Sequence, residues 1–192
     1  MKYIVLFKTP ESLYFEEIKR KEDIKNFDVD GFLLNADEKE CRRTIEFLKQ
    51  KLKGSEKKIK IAVVGREDEF NRRALETLKI DYLVSPENTF QRDSLKQRAS
   101  GFNHVLAEIA KQKNIAVIVD LTRLNSITDK KQKALRVAKI IQNIKICRKS
   151  NCPIKLATFA KNESELLDEK QIAAIGFSLG MSSQQAVEAF NF

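Results

Sequence analysis

Short apolar runs alternate with amphipathic stretches about six times along this 192-residue chain, with no Gly/Ser-rich linker between them. The runs are Lys2 to Phe7, Val29 to Leu34, Ile59 to Val64, Tyr82 to Val84, Ile115 to Val119 and Pro153 to Ala157. Most are Ile/Val-rich and apolar at successive positions. Strands apolar on both faces are the kind buried in a parallel sheet. Strands that alternate with helices predict a parallel sheet with crossover helices, either a barrel or a doubly wound sheet. No GxGxxG or Walker loop is present, and six glycines are few for a dinucleotide fold. The length suits a single domain over residues 1–192 with a sizeable core.

The helical stretches carry their own punctuation. Thr9-Pro10 suits a helix start, with Pro at the first helical position, although the segment up to Phe27 is ambiguous. Asn35 and Glu38 have capping-box spacing before a stripe of Cys41, Ile45, Leu48 and Leu52 that stops at Gly54. A helix from Asp68 turns Phe70, Ala74 and Leu78 inward and Arg72 and Arg73 outward. Phe102, Val105, Leu106, Ile109 and Ala110 form one face of another helix, for which Ser100 is a plausible cap. Residues 129–150 predict a long helix burying Ala134, Val137, Ile141 and Ile144. A helix near Leu166 to Phe177 ends at Gly180, and Ser182 with Gln185 opens the last one, which buries Ala186, Val187 and Phe190.

The charge is unevenly placed. Residues 89–150 hold 14 Lys/Arg against four carboxylates, an excess of +10, while the rest holds 22 basic and 23 acidic residues, or −1. A charge run is usually a solvated face, but segregation on this scale favours a polyanion partner. No helix pairs this charge with the lipophilic face of a membrane binder, and no run is long enough for a membrane span. Three cysteines (Cys41, Cys147, Cys152) without metal-type spacing predict reduced thiols and a cytoplasmic home.

The residues offer little for catalysis. One histidine, His104, is too few for a hydrolytic metal centre of the ordinary kind. Asp23, Asp28, Asp30, Asp81 and Asp120 fall near strand ends and could hold Mg²⁺ through water, but scattered Asp more often forms turns and caps. No metal bound by the protein and no catalytic residue is expected. With no Trp and most of the 12 Phe at core-like positions, base stacking is not the obvious mode of contact; phosphate contact by Lys and Arg is.

The phrase Ser100-Gly101-Phe102-Asn103-His104-Val105-Leu106-Ala107, with Ala110 and a strand following, resembles protein component 3 of archaeal ribonuclease P. This is the thirty-kilodalton subunit family, a TIM-barrel relative of the polymerase and histidinol phosphatase superfamily. The resemblance continues through Arg148-Lys149, the strand from Pro153 to Ala157 and Leu179-Gly180-Met181. The chain departs from it at Ala157-Thr158-Phe159-Ala160, where the family has a Ser-Ser turn, and at Leu167-Asp168, where the family has Leu-Arg. The resemblance implies an α/β fold that is TIM-barrel-like, small and irregular. It implies a subunit of the endonuclease that removes 5′ leaders from precursor tRNA, working with the ribonuclease P RNA and protein component 2. The RNA subunit would carry the chemistry with Mg²⁺, leaving the isolated chain inactive. The candidate RNA contacts are Arg72, Arg73, Arg92, Lys96, Arg98, His104, Arg123, Arg136, Arg148 and Lys149. The alternative reading is a stand-alone metal-dependent phosphoesterase on the same barrel.

Overall fold

The computed structural model describes residues 3–9, 12–55, 57–89, 99–190 and 192. Seven strands lie in sequence order in one parallel sheet: β1 (Tyr3–Val5), β2 (Ser12–Ile18), β3 (Gly31–Leu34), β4 (Lys60–Val64), β5 (Tyr82–Val84), β6 (Ala116–Asp120) and β7 (Ile154–Ala157). The sheet curls until its edges meet. Val5 bridges Ala160 just past β7, Leu6 N donates to Ala160 O at 2.7 Å, and Phe159 N donates to Ile4 O at 3.2 Å. The result is a small, irregular seven-stranded relative of the TIM barrel, and the barrel reading of the alternation is the correct one.

Period-two side chains then sort into two cores. Leu33, Ala62, Val64, Tyr82, Val84, Ala116 and Ile118 fill the barrel with Phe15 and Phe159, while Phe32, Val63, Leu83, Val117 and Leu156 face the helices. This double burial explains why the strands read as continuous apolar runs. Phe159 also accounts for the departure from the Ser-Ser turn. It lies in the barrel interior at 2% exposure, edge-on to Phe15 with ring centroids 6.3 Å apart.

The helices are α1 (Glu38–Lys51), α2 (Asp68–Thr77), α3 (His104–Gln112), α4 (Leu121–Asn125), α5 (Lys130–Ser150), α6 (Glu169–Ser178) and α7 (Ser183–Glu188). Several sequence expectations need correction. Residues 12–18 are strand, not helix; β1 and β2 pair directly, and the six residues 6–11 between them leave no room for a crossover helix. The cap of α1 is Asp37, which accepts from Glu40 N, rather than Asn35. The cap of α3 is Asn103, which accepts from Leu106 N at 3.1 Å, rather than Ser100. Val105 and Val187 are exposed at 58% and 60%, and Ala134 is exposed because the buried face of α5 runs through Ile140, Ile144 and Cys147. The Ser182–Gln185 capping box of α7 is present as expected. A second box, Asp168 with Gln171, opens α6. Asp168, where the resembling family has Arg, is thus a helix cap, a role that needs an acceptor.

Cys41, Cys147 and Cys152 are buried free thiols. Burial pushes the Cys41 thiol up to about 11. No helix among the described residues is long and apolar enough to cross a membrane.

Candidate nucleic-acid interface

The motif around Gly101 is a joint between three loops. Asn71 on α2 is fully buried, and its amide makes four hydrogen bonds. Oδ1 accepts from Arg66 N at 2.7 Å, and Nδ2 donates to the carbonyls of Arg66 (2.9 Å), Pro86 (3.2 Å) and Gly101 (2.7 Å). Gly101 has φ +68°, and a Cβ there would collide with the Pro86 carbonyl, so only glycine suits the site. Ser100 hangs on α5, its carbonyl accepting from Asn143 Nδ2 at 3.2 Å and its hydroxyl from Gln142 Nε2 at 3.2 Å. Phe102 is driven into the outer core at 2% exposure. His104, the first residue of α3, is exposed, and its Nδ1 lies 2.9 Å from the hydroxyl of Ser150, the last residue of α5. The motif thus fixes both ends of the segment from Pro86 to Gly101, which contains Arg92, Lys96 and Arg98; those three lie outside the described residues.

A polar cluster occupies the C-terminal mouth of the barrel, the end where barrel enzymes place their active sites. Arg123 Nε donates to Asp120 Oδ2 at 3.0 Å and Nη2 donates to Glu17 Oε1 at 3.1 Å, an oxygen that also accepts from Asn35 Nδ2 at 2.9 Å. Arg136 Nη1 donates to Asn88 Oδ1 at 3.0 Å. Burial pushes Glu87 up to about 7, against the opposing pull of a backbone N–H and of the Arg136 charge. Burial likewise pushes Asp120 up to about 6, although hydrogen bonds and the charge from Arg123 oppose it. Arg136 is itself drawn below the ordinary arginine value by burial. Glu87 Oε2 has no hydrogen-bond partner among the described residues, which suits a carboxyl that holds its proton. Arg123 is paired with Asp120 and Glu17, whereas Arg136 bonds the neutral amide of Asn88.

The other acidic residues near strand ends also have separate structural partners. Asp23 accepts from Lys19 N and Arg20 N, Asp28 pairs with Lys8 and Lys57, Asp30 accepts from Tyr14 N, and Asp81 holds Lys60 and Ile61 N. Among the described residues no three His, Cys, Asp or Glu side chains gather closely enough to hold a metal ion.

The structure therefore divides the sequence's candidates. Arg72 pairs with Glu76 at 2.8 Å, Arg73 with Glu38 at 2.7 Å, and Arg123 with Asp120 and Glu17. Arg136 is half-buried against Glu87 and Asn88. Arg148 donates from Nε to Gln185 Oε1 at 3.1 Å and from Nη2 to the Gly180 carbonyl, tying α5 to α7. Lys149 is exposed with no carboxylate in ion-pair range among the described residues. His104 meets the end of α5 at Ser150, whereas Arg148, two residues earlier on the same helix, reaches α7 on another side; Arg72 and Arg73 lie apart on α2. Sequence reasoning missed Asn71 and Glu87. A signal existed for Asn71, since residue 71 falls on the inward stripe of α2 beside Phe70 and Ala74. Glu87 carried no such mark.

No protein-family profile matches the chain. Three curated archaeal relatives do, each called ribonuclease P protein component 3. That of Methanothermobacter thermautotrophicus is 26% identical over 176 residues, covering 91% of this chain and 66% of the relative. Those of Methanococcoides burtonii and Methanocaldococcus jannaschii are 26% and 28% identical, over 68% and 66% of this chain. The chain spans 51–66% of the length of these relatives. Among solved structures, a chain of archaeal ribonuclease P with mature tRNA shares the fold with a TM-score of 0.53 at 21% identity, covering 92% of this chain and 87% of that one. An uncharacterised protein shares it with a TM-score of 0.57 at 8% identity. The resemblance read from the Ser100–Ala107 phrase thus holds over most of the chain.

Proposed function

We propose that this chain is a protein subunit of ribonuclease P, which binds and helps shape the catalytic RNA that removes 5′ leaders from precursor tRNA. The observation that carries the reading is the similarity to ribonuclease P protein component 3 over 91% of the chain. The segregated charge of residues 89–150 supports it, because phosphate contact through Lys and Arg supplies most of the affinity of such a protein for RNA. In this reading protein component 2 is a partner, precursor tRNA is the substrate of the whole complex, and the complex works in the cytoplasm. Arg92, Lys96, Arg98, His104 and Lys149 are the contacts it favours. Arg72, Arg73, Arg123, Arg136 and, because it donates to Gln185 and the Gly180 carbonyl, Arg148 would have to exchange an existing partner for a phosphate. The RNA subunit supplies the chemistry with its Mg²⁺, and the protein holds that RNA in shape.

Reconstitution tests the proposal. The chain alone should leave precursor tRNA uncut. With the ribonuclease P RNA and partner proteins of an archaeal enzyme, its addition should raise cleavage at the 5′ leader. Cleavage by the chain alone, abolished by EDTA, would overturn the reading in favour of a stand-alone metal-dependent phosphoesterase.

A further inference from the structure

Helix α5 carries lysines at both ends of its solvent face. An α-helix closes five turns in 18 residues, so Lys131 and Lys149 lie on one line along the helix, about 27 Å apart. Lys145 lies about 40° and Lys130 about 100° to the same side of that line, and all four side chains are exposed. None has a carboxylate within ion-pair distance among the described residues. The stretch between the two ends is uncharged along this line, and it includes Leu135 at 48% exposure. The buried face, through Ile140, Ile144 and Cys147, lies on the opposite side.

Two of these lysines are badly placed for helix stability. Lys130 and Lys131 sit in the first turn, which holds no acidic residue. Cations there oppose the helix dipole, which favours them only at the other end. A surface lysine selected for solubility gains nothing from that position. The one carboxylate beside them, Asp129 at the N-cap, is engaged by Gln132 N at 2.7 Å, so the two lysines together leave a net positive charge that a polyanion lying along the helix would answer.

We propose that the outward face of α5 is a duplex-RNA docking surface, with Lys130/Lys131 and Lys145/Lys149 each meeting phosphates and the uncharged middle spanning the groove between them. The proposal rests on the ribonuclease P reading and narrows it to one helix face and one class of RNA structure. Two cation clusters held apart by a rigid helix suit a partner whose phosphates are themselves held in fixed places, and A-form RNA is recognised chiefly by shape and backbone. A single strand would call for a continuous cationic track with aromatic platforms, and α5 contains no aromatic residue.

The test uses the full chain with a labelled blunt RNA duplex of about 16 base pairs or more and a single strand of matching length. The duplex should bind more tightly. Lys131→Gln with Lys149→Gln should make the log–log salt slope shallower by roughly 0.7–0.9 for each lysine. A matched pair on other surfaces, Lys53→Gln with Lys170→Gln, should leave the slope unchanged. Lys130→Glu with Lys131→Glu should weaken duplex binding while raising the melting temperature, a combination that a structural role for these lysines would not give. Equal loss from the control pair would reduce the effect to net charge and overturn the proposal. Preference for the single strand, or lysine-dependent binding to anionic vesicles without duplex binding, would also overturn it. Reconstituted cleavage separates the two levels: if the chain activates cleavage and the α5 variants do so undiminished, the surface is wrong and the subunit reading stands.

Discussion

The Nδ2 of Asn71 lies 2.7 Å from the carbonyl oxygen of Gly101, thirty residues further along the chain. The same nitrogen also reaches the Pro86 carbonyl, so one buried amide closes the base of the segment between Pro86 and Gly101. The phrase that carries the resemblance is, in physical terms, mostly the description of this joint.

Replacing Asn71 by Ala should destabilise the fold by about 2–4 kcal/mol, because several buried backbone groups lose their partner together. Gly101→Ala should be at least as harmful, since its φ is +68° and the Pro86 carbonyl blocks the new methyl group. Gly54 is the control. It has φ +90° but nothing within 4 Å of an added Cβ, so Gly54→Ala should cost only the backbone strain, about 1–2 kcal/mol. Urea unfolding of the three variants checks the order. An Asn71→Ala midpoint equal to wild type would remove the joint from the argument.

The mouth cluster makes stability depend on pH in an unusual direction. Glu87 ionises near 4.5 when unfolded, but in the folded chain burial pushes it to about 7. Between those values the folded state holds a proton that the unfolded state has lost, so stability falls as pH rises through the window. Asp120 adds the same sign between 3.8 and about 6. The Glu87 contribution is at most about 3 kcal/mol across its window. Glu87→Gln should flatten the fall between pH 4.5 and 7, leaving the part due to Asp120. Urea midpoints at several pH values measure it; a wild-type midpoint that rises over that range would contradict the protonated state of Glu87.

The parallel sheet was legible because its strands are buried on both faces and so read as apolar runs, but those runs suit a doubly wound sheet equally, and only the resemblance pointed to a barrel. The error at residues 12–18 has a physical source. The buried residues of β2, Ser12, Phe15 and Ile18, are spaced by three, which reads as a helical stripe, and the helix-start signal of Thr9-Pro10 precedes them. Val105 misled the helix reading because an apolar residue at a helix start need not face the core. The mouth cluster was not legible: Glu17, Asn35, Glu87 and Asp120 come from four separate strand ends, and only the closure of the sheet brings them together. Charge segregation was legible, but the carboxylates that occupy Arg72, Arg73 and Arg123 were not.

The segment holding Arg92 and Arg98 gives a direct test of the phosphate-contact reading. Substituting both by Ala should make the log–log salt dependence of RNA binding shallower by roughly 0.7–0.9 per lost contact. Lys8→Ala with Lys53→Ala should leave it alone, since Lys8 is paired with Asp28 and Lys53 lies just past the C-cap of α1. An unchanged slope for the arginine pair would move the RNA face away from this segment.

His104 stands where α3, α5 and the loop joint meet, so its contribution should be to assembly or RNA contact and not to proton transfer in cleavage. Its Nδ1 bonds the hydroxyl of Ser150, a residue only 2% exposed, and its other ring nitrogen, without a hydrogen bond among the described residues, can meet a ribose or phosphate. His104→Ala should weaken activation of the RNA subunit by about 1–3 kcal/mol, partly because the Ser150 hydroxyl loses its partner. His104→Asn, whose amide can still donate or accept at short range, should recover part of that loss. Because the RNA-bound metal supplies the nucleophile in this reading, the pH profile of reconstituted cleavage should keep its shape in both variants. A titration limb present with His104 and missing with Ala would make the histidine a catalytic residue and would overturn the assignment.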